Sequence, residues 1–242
     1  MKVCSISYLN SIPFVYGLEN SPLNLHLSKE IPSKCAHNLI NNAADIALVP
    51  VAIIPQLPYS RVISSFCIAS NDAVETVCLF SQRPLNEIET IILDYHSKTS
   101  NELVQLLCRH YWHISPKFVY SDAEFSDQIS DSTAGLIIGD RAYQFRSEFS
   151  YVYDLSQEWK KWTDLPFVFA CWVANKPIDT QFEAMFCQAL KYGVDNLSKA
   201  IASKSHLFDT NIDKRRYLTE VIDYQLDSQK RQAMDRFLGL LP

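Results

Sequence analysis

Short apolar runs alternate with helix-like segments over the first fifty residues. The apolar positions predict strands at 3–6, 23–27 and 45–49. Between these strands, helices are predicted to begin near Pro13 and Pro32, because proline lacks an N–H group that the first turn of a helix leaves unpaired. This alternation of strands and helices indicates an α/β sheet with right-handed crossover connections.

The alternation restarts near residue 82, after two apolar strands at 61–69 and 74–81. The remaining pattern predicts strands at 90–94, 117–120, 134–138, 151–153 and 165–173, and helices at 102–111, 122–129, 154–162, 182–196, 214–224 and 228–240. The long apolar strand at 165–173 can return the chain to the first set of strands. We therefore predict two lobes, residues 1–80 with 172–242 and residues 81–171, with a ligand cleft between them.

Size and charge restrict the class of partner. The 242 residues, of which 48% are apolar, suffice for one large or two small domains. The net charge is −5, and the basic runs at 214–216 and 230–231 are interleaved with acidic residues. Such runs are typical of solvated helix faces, so we expect no nucleic acid partner. An anionic ligand would have to be held by local hydrogen-bond donors.

The cysteines and the start of the chain indicate a reducing compartment. Seven cysteines, an odd number, include no C-x-x-C pair, and most lie in apolar runs. We expect neither a disulfide framework nor a metal site. Residues 1–6 offer no hydrophobic signal segment, and no apolar run is long enough to span a bilayer. We therefore expect a cytoplasmic protein without a membrane partner; the sequence leaves a homodimer open.

Six segments over about 165 residues carry a family resemblance. They are SYLNSIPF at 7–14, DIALVPV at 45–51, VCLFS at 77–81 with RPL at 83–85, LD at 93–94 with SKTS at 97–100, IIGD at 137–140, and WTDLPFVFA at 162–170 with Trp172. In order and spacing they resemble chorismate dehydratase of the futalosine route to menaquinone. That family has a two-lobed, periplasmic-binding-protein-like type II fold with mixed sheets.

Three positions depart from the family pattern. Asp164 and Asn42 stand where the family often has glycine, at turns whose left-handed backbone Asp and Asn tolerate. Lys98 replaces a usual arginine, which puts a bidentate carboxylate contact at that position in doubt.

The resemblance implies elimination of water from chorismate to give 3-[(1-carboxyvinyl)oxy]benzoate, a carbon–oxygen lyase reaction at the start of the route. A proton leaves the ring carbon that bears the enolpyruvyl ether, hydroxyl leaves the neighbouring carbon, and the ring becomes aromatic. No cofactor is expected, in agreement with a sequence that lacks the common nucleotide and metal motifs.

Residues at the ends of predicted strands are the candidates for the site. Asn10, which follows the first strand, can also be a turn residue, and the family motif makes it the first candidate for a catalytic contact. Tyr8 and Ser11 are adjacent candidates for binding substrate. Ser97, Thr99 and Ser100 precede a helix, where they can cap it and can also hold a carboxylate together with the free N–H groups.

The proton acceptor is left open between two groups. His96 lies in the loop before this helix and suits proton transfer near neutral pH, although it can also be simply a solvated loop residue. A carboxylate of the substrate could take the proton instead.

Three further residues are candidates for binding substrate. Asp140 can face the cleft or cap a helix, and Thr163 and Phe167 are expected at the hinge wall.

Three further functions are known for the same fold, and two of them stay open as alternatives. One is a non-catalytic protein that binds small anions, which fold alone does not distinguish from an enzyme. The other is the sister enzyme that makes 1,4-dihydroxy-6-naphthoate, whose characteristic Ser-Pro-Cys-Pro opening is missing here. A pyrimidine synthase of the same fold would need a His/Cys iron cluster, for which these cysteines are too dispersed.

Overall fold

Two mixed β-sheets form the framework of the protein, whose computed structural model describes residues 1–241. The first sheet has the strand order β11-β4-β10-β3-β1-β2, and the second has the order β7-β6-β8-β5-β9. Strands of the first sheet are β1 (Lys2–Ile6), β2 (His26–Glu30), β3 (Ile46–Pro50), β4 (Arg61–Ser70), β10 (Phe167–Ala174) and β11 (Asp223–Gln225). Strands of the second are β5 (Val77–Ser81), β6 (Thr90–Leu93), β7 (Lys117–Tyr120), β8 (Thr133–Ile138) and β9 (Tyr151–Asp154).

Parallel pairing follows the alternation of strands and helices, as the sequence predicts. β1 pairs in parallel with β2 and β3, and β6 pairs in parallel with β7 and β8. The helices are α1 (Ile12–Glu19), α2 (Pro32–Ile40), α3 (Lys98–Leu107), α4 (Leu155–Thr163), α5 (Thr180–Asp195), α6 (Leu197–Lys204), α7 (Lys214–Arg216) and α8 (Ser228–Gly239). Every residue of β3 and β10 is buried, as expected for central strands covered on both faces.

The chain passes between the sheets twice, once after β4 and once after β9. The carboxylate of Asp154, the last residue of β9, accepts hydrogen bonds from the backbone N–H groups of Val74 and Glu75 at 3.2 and 2.6 Å. It also caps α4 through the N–H groups of Ser156 and Gln157. One buried side chain therefore joins the two passages.

The division into lobes stays a prediction, but its boundaries need adjustment. The boundary at 80/81 falls inside β5, which lies wholly in the second sheet. The boundary at 171/172 falls inside β10, which pairs with β3 and β4 in the first sheet. Apolar strands continue through both positions, so composition does not mark where the chain changes sheet.

Two predicted helices are wrong. Residues 122–129 form only a short 3₁₀ turn, Ser126–Gln128, because Phe125 and Ile129 are both drawn into the core beside Gly135. Residues 214–224 are helical only at first: a π-turn follows α7, and β11 then pairs with β4. The basic pair at 230–231 is also not wholly solvated, since Lys230 is 3% exposed and pairs with the carboxylates of Asp223 and Asp227.

Candidate functional site

A cavity lies between the two sheets and contains about 460 Å³ of space between protein atoms, open solvent at its mouth included. Ile6, Pro50 and Ile138, which end the strands β1, β3 and β8, line it together with residues of β4, β5 and β10. Ligands of open α/β sheets bind at this end of the strands. Five polar side chains reach the cavity: Tyr8, Asn10, Thr76, Ser97 and Ser100.

One wall is the N-terminus of α3. Ser97 caps the helix: its Oγ accepts a hydrogen bond from the N–H of Ser100 at 3.1 Å and donates to the Ser100 Oγ at 3.1 Å. Both serines are buried and line the cavity. The first N–H groups of a helix have no partner within it and carry partial positive charge, which suits a carboxylate.

Thr99 belongs to the same turn but faces away from the cavity. Its Oγ1 accepts a hydrogen bond from the N–H of Ala52 at 3.2 Å, and its side chain is 1% exposed. The structure therefore brings Ser97 and Ser100 to the cavity and uses Thr99 to attach α3 to the turn after β3.

Asn10 also lines the cavity and lies in the turn between β1 and α1. The neighbouring Ser11 is 1% exposed and donates from its Oγ to the carbonyl oxygen of Ile6 at 2.8 Å, so it holds the turn and does not line the cavity. Thr76 lines the cavity as well, and its Oγ1 is 2.8 Å from the hydroxyl of Tyr217.

Tyr8 closes one side of the cavity through a contact with His96. The hydroxyl of Tyr8 is hydrogen-bonded to Nδ1 of His96. Burial raises the pKa of the Tyr8 hydroxyl, whereas burial together with the Arg141 guanidinium lowers the pKa of His96 to about 4. The imidazole is therefore neutral near pH 7, and Tyr8 remains protonated.

The ring of Tyr8 packs against Gly139, at the end of β8. Gly139 has φ +78° and ψ −169°, a conformation that only glycine adopts readily. A Cβ atom here would lie 2.6 Å from Cζ of Tyr8. This glycine thus permits both the backbone turn and the close approach of the tyrosine.

Asp94 fixes the loop that carries His96 and Ser97. It is fully buried, and each of its carboxylate oxygens is 2.7 Å from Nη2 of Arg141. The same carboxylate accepts hydrogen bonds from the N–H groups of His96 and Ile138, at 2.9 and 2.8 Å. The ends of β6 and β8 are thereby held together beside the cavity.

Asp140 supports the turn that carries Asn10. Its Oδ2 accepts a hydrogen bond from the N–H of Leu9 at 2.9 Å, while the buried Oδ1 has no hydrogen-bond partner within residues 1–241. Burial raises the pKa of Asp140 to about 6. Asp140 does not line the cavity, in contrast to the preceding glycine.

The structure does not bring Thr163 or Phe167 to the cavity. The Oγ1 of Thr163 donates to the carbonyl oxygen of Trp159 at 2.8 Å at the end of α4. Phe167 is 1% exposed and packs edge-on against the same tryptophan. A β-bulge follows in β10 and brings Phe169 and Ala170 to the cavity instead.

The described part of the chain has neither a metal-binding cluster nor a membrane-spanning helix. Within residues 1–241, no three His, Cys, Asp or Glu side chains converge as metal ligands would. The helices of this range are all too short or too polar to cross a lipid bilayer.

Comparison with known proteins identifies the family of the chain. The family described as menaquinone biosynthesis matches residues 1–242, the whole chain. The chain belongs to this menaquinone biosynthesis family. Among curated proteins, the chorismate dehydratase of Campylobacter jejuni is 26% identical over 245 residues, which cover 96% of this chain and 94% of the relative.

Solved structures show the fold that this member of the menaquinone biosynthesis family shares. A protein of Archaeoglobus fulgidus superimposes with a TM-score of 0.77 at 12% identity, covering 98% of this chain and 95% of its own. A Candida albicans protein with the generic periplasmic binding protein fold gives 0.64 at 13% identity, with coverages of 99% and 89%. The periplasmic aliphatic sulphonate binding protein of Escherichia coli gives 0.58 at 13% identity, with coverages of 99% and 91%. The periplasmic-binding-protein-like fold predicted from the sequence is confirmed.

Sequence reasoning missed Thr76, Tyr217 and Arg141 in this family member. Thr76 lies in the passage between the sheets, where no periodic pattern marks it. Tyr217 follows the basic run at 214–216 in a segment predicted as a helix, and nothing in that pattern marks its side chain as fully buried. For Arg141 the sequence offers one signal. This arginine follows closely on the predicted strand end at 138, and strand ends gather at the same edge of a sheet.

Proposed function

We propose that the protein is a chorismate dehydratase, a carbon–oxygen lyase that removes water from chorismate to give 3-[(1-carboxyvinyl)oxy]benzoate. The observation that carries the proposal is one cavity lined by neutral hydrogen-bond donors from two separate elements, the serines of α3 and the amide of Asn10 in the turn after β1. The similarity to a chorismate dehydratase along nearly the whole chain supports the same assignment.

The cavity suits a compact ring that carries two carboxylates. Apolar side chains, among them Ile6, Ile138 and Phe169, cover the faces on which a ring would lie. Ser97, Ser100 and the first N–H groups of α3 would hold one carboxylate. Asn10 would donate to the leaving hydroxyl or to the second carboxylate.

The reaction needs a proton acceptor and a stabilised leaving group. The proton on the ether-bearing ring carbon is vinylogous to the ring carboxylate, so that carboxylate can accept the developing charge. Hydroxide then leaves the neighbouring carbon and takes a proton, which gives one aromatic product and one water. Placement of the substrate and donors aimed at the departing oxygen would supply the acceleration.

Substitution of His96 tests which group accepts the ring proton. Its Nδ1 is occupied by the hydroxyl of Tyr8, and only the tyrosine lines the cavity. This arrangement favours a carboxylate of the substrate as the base. His96→Asn should then leave most of the rate; a loss of about a thousandfold, within the range of general base catalysis, would make the histidine the base instead.

The first experiment is incubation of the purified protein with chorismate, without added cofactor or metal, followed by chromatography. We expect a benzoate-type product that is missing from the control without enzyme, and its loss in Asn10→Ala. Thr99→Val is the matched control, since Thr99 lies in the site helix but faces away from the cavity. Unchanged chorismate that nevertheless raises the Tm would contradict the proposal and indicate a non-catalytic anion binder.

A further inference from the structure

Thr76 is a buried hydroxyl residue at the cavity between the two sheets. It lies in the passage from β4 to β5, lines the cavity and is 2% exposed. Its carbonyl oxygen accepts a hydrogen bond from the N–H of Gly139 at 2.8 Å, beside the ring of Tyr8. The backbone of Thr76 is therefore fixed to the end of β8, at the edge of the site.

The hydrogen bonds of the Thr76 side chain leave its own proton available. Within residues 1–241, the geometry gives the buried hydroxyl of Tyr217 one hydrogen bond, to the Oγ1 of Thr76 at 2.8 Å. A buried O–H without an acceptor is costly, so the tyrosine donates and the threonine accepts. The threonine proton is then left with the carbonyl oxygen of Val74, at 3.4 Å, which is long for a hydrogen bond between oxygens. A ligand oxygen in the cavity would offer it a better acceptor.

The backbone just before Thr76 is strained, and specific contacts hold it. Glu75 has φ +67°, in the left-handed region that residues other than glycine rarely adopt. Its N–H donates to the carboxylate of Asp154 at 2.6 Å, and its own carboxylate forms an ion pair with Arg216, the residue before Tyr217. Two consecutive residues of the C-terminal segment thus hold two consecutive residues of the passage. Strained backbone that is held in this way concentrates at functional sites.

We propose that Thr76 is a substrate-contacting residue: its hydroxyl donates a hydrogen bond to an oxygen atom of the bound substrate, and Tyr217 is the positioning residue that fixes the direction of this donor. The inference rests on the proposed dehydratase function. Burial raises the pKa of Tyr217, so its hydroxyl stays protonated and continues to donate. Donation by the tyrosine also strengthens the threonine as a donor, because linked hydroxyl groups polarise one another.

Thr76→Val removes the hydroxyl and keeps the shape of the side chain, and Thr99→Val is the matched control. The hydroxyl of Thr99 is also buried and hydrogen-bonded, but it faces away from the cavity. We expect Thr76→Val to lower kcat/KM for chorismate about tenfold, as one lost hydrogen bond would, and Thr99→Val to leave it within about threefold. Thr76→Ser, which retains a hydroxyl, should recover most of the loss. Wild-type kcat/KM in Thr76→Val, or an equal loss in Thr99→Val, would overturn the proposal.

Tyr217→Phe tests the positioning role, and it also tests the contact if Thr76→Val does not fold. The variant should lower kcat/KM about threefold or more, and wild-type kinetics would contradict the proposal. In the Thr76→Val background, where no hydroxyl remains to be oriented, Tyr217→Phe should cause no further loss. If the two losses multiply instead, Tyr217 does not act through Thr76.

The wild-type assay distinguishes the two levels of inference. A wild-type protein that does not turn over chorismate removes the proposed function and the role of Thr76 together. An active wild type whose Thr76→Val and Tyr217→Phe variants keep full activity removes the role of Thr76 alone.

Discussion

Gly139→Ala should damage the site through the ring of Tyr8. The new Cβ would lie 2.6 Å from Cζ and 2.8 Å from Cε2 of that ring, which must move. Movement breaks the hydrogen bond between Tyr8 and His96, a loss of about 1 kcal/mol. Alanine at φ +78° and ψ −169° adds roughly 1–3 kcal/mol of backbone strain. The free energy of unfolding should fall by about 2–4 kcal/mol.

Thermal unfolding measures the loss of stability in Gly139→Ala, and turnover measures the damage to the cavity. For a chain of this length, each kcal/mol lowers the Tm by about 2–4 °C, so a decrease of roughly 5–15 °C is expected. Product formation from chorismate should decrease as well, because the displaced ring enters the cavity that it lines.

Gly135→Ala provides the control on the same strand. A Cβ at Gly135 would meet side-chain atoms of Ile129 at 2.4 Å and Phe125 at 2.8 Å, away from the cavity. Overpacking there costs about 1–3 kcal/mol, and turnover at a temperature where the protein is folded should remain. The reasoning is refuted if Gly139→Ala keeps the Tm and turnover of the wild type, or if both variants lose turnover equally.

Three further predictions concern buried polar groups around the cavity. Ser97→Ala should cost about 1 kcal/mol of stability through the lost helix cap and weaken substrate binding, whereas Thr99→Val should spare binding; calorimetric titration and unfolding separate the two effects. Asp94→Asn should lower the free energy of unfolding in urea by about 2–4 kcal/mol, because it breaks a buried pair with Arg141, which retains a second carboxylate partner. For Asp140, the pKa rises from 3.8 to about 6 on folding, so wild-type stability relative to Asp140→Asn should increase as the pH falls from 7 to 4, by at most about 3 kcal/mol.

Each of these predictions has its own control. Asp195→Asn breaks the exposed pair with Lys191 and should cost under about 1 kcal/mol, so an equal loss in Asp94→Asn would contradict the argument from burial. For Asp140, the difference between wild type and variant removes the opposing titration of His96, whose lowered pKa both proteins share. A difference that does not change with pH would show that Asp140 is not desolvated. Unchanged ligand affinity in Ser97→Ala would remove that serine from the binding site.

Sequence patterns predict those features that depend on a residue and its immediate neighbours, such as helix starts and tight turns. Pro13 and Pro32 lie in the first turns of α1 and α2, as their missing N–H groups suggest. Asn42 and Asp164 have φ values of 59° and 58°, in agreement with the left-handed turns expected at those positions. Asn10, Tyr8, Ser97 and Ser100 line the cavity because strand ends converge there, although their roles stay predictions.

The remaining features depend on contacts that no local window contains. Tyr217 and Thr76 are separated by 141 positions, and neither belongs to a motif that requires the other. In β10 the period of two places Phe167 and Phe169 on one face, but a bulge between Val168 and Ala170 changes which side chains reach the cavity. Tertiary packing decides such cases, since the energy of one bulge or one buried hydroxyl is not encoded in neighbouring residues.

The charge distribution of the cavity bears on how a dehydratase of this kind would work. The lining residues found within 1–241 include no Lys or Arg, and the guanidinium of Arg141, whose Nε donates to the carbonyl oxygen of the lining residue Ile138, is engaged by Asp94. A strong cation would bind the carboxylates of substrate and product alike and would add affinity without adding rate.

Neutral donors on fixed turns act differently, because an amide or hydroxyl interacts most strongly where charge develops during the reaction. Their value depends on orientation, and orientation here is set by the buried groups behind them: Asp94 beneath Ser97, Asp140 beneath the turn of Asn10, and Tyr217 beside Thr76. In the proposed enzyme, substitution of these supporting residues should therefore reduce the rate more than it reduces affinity.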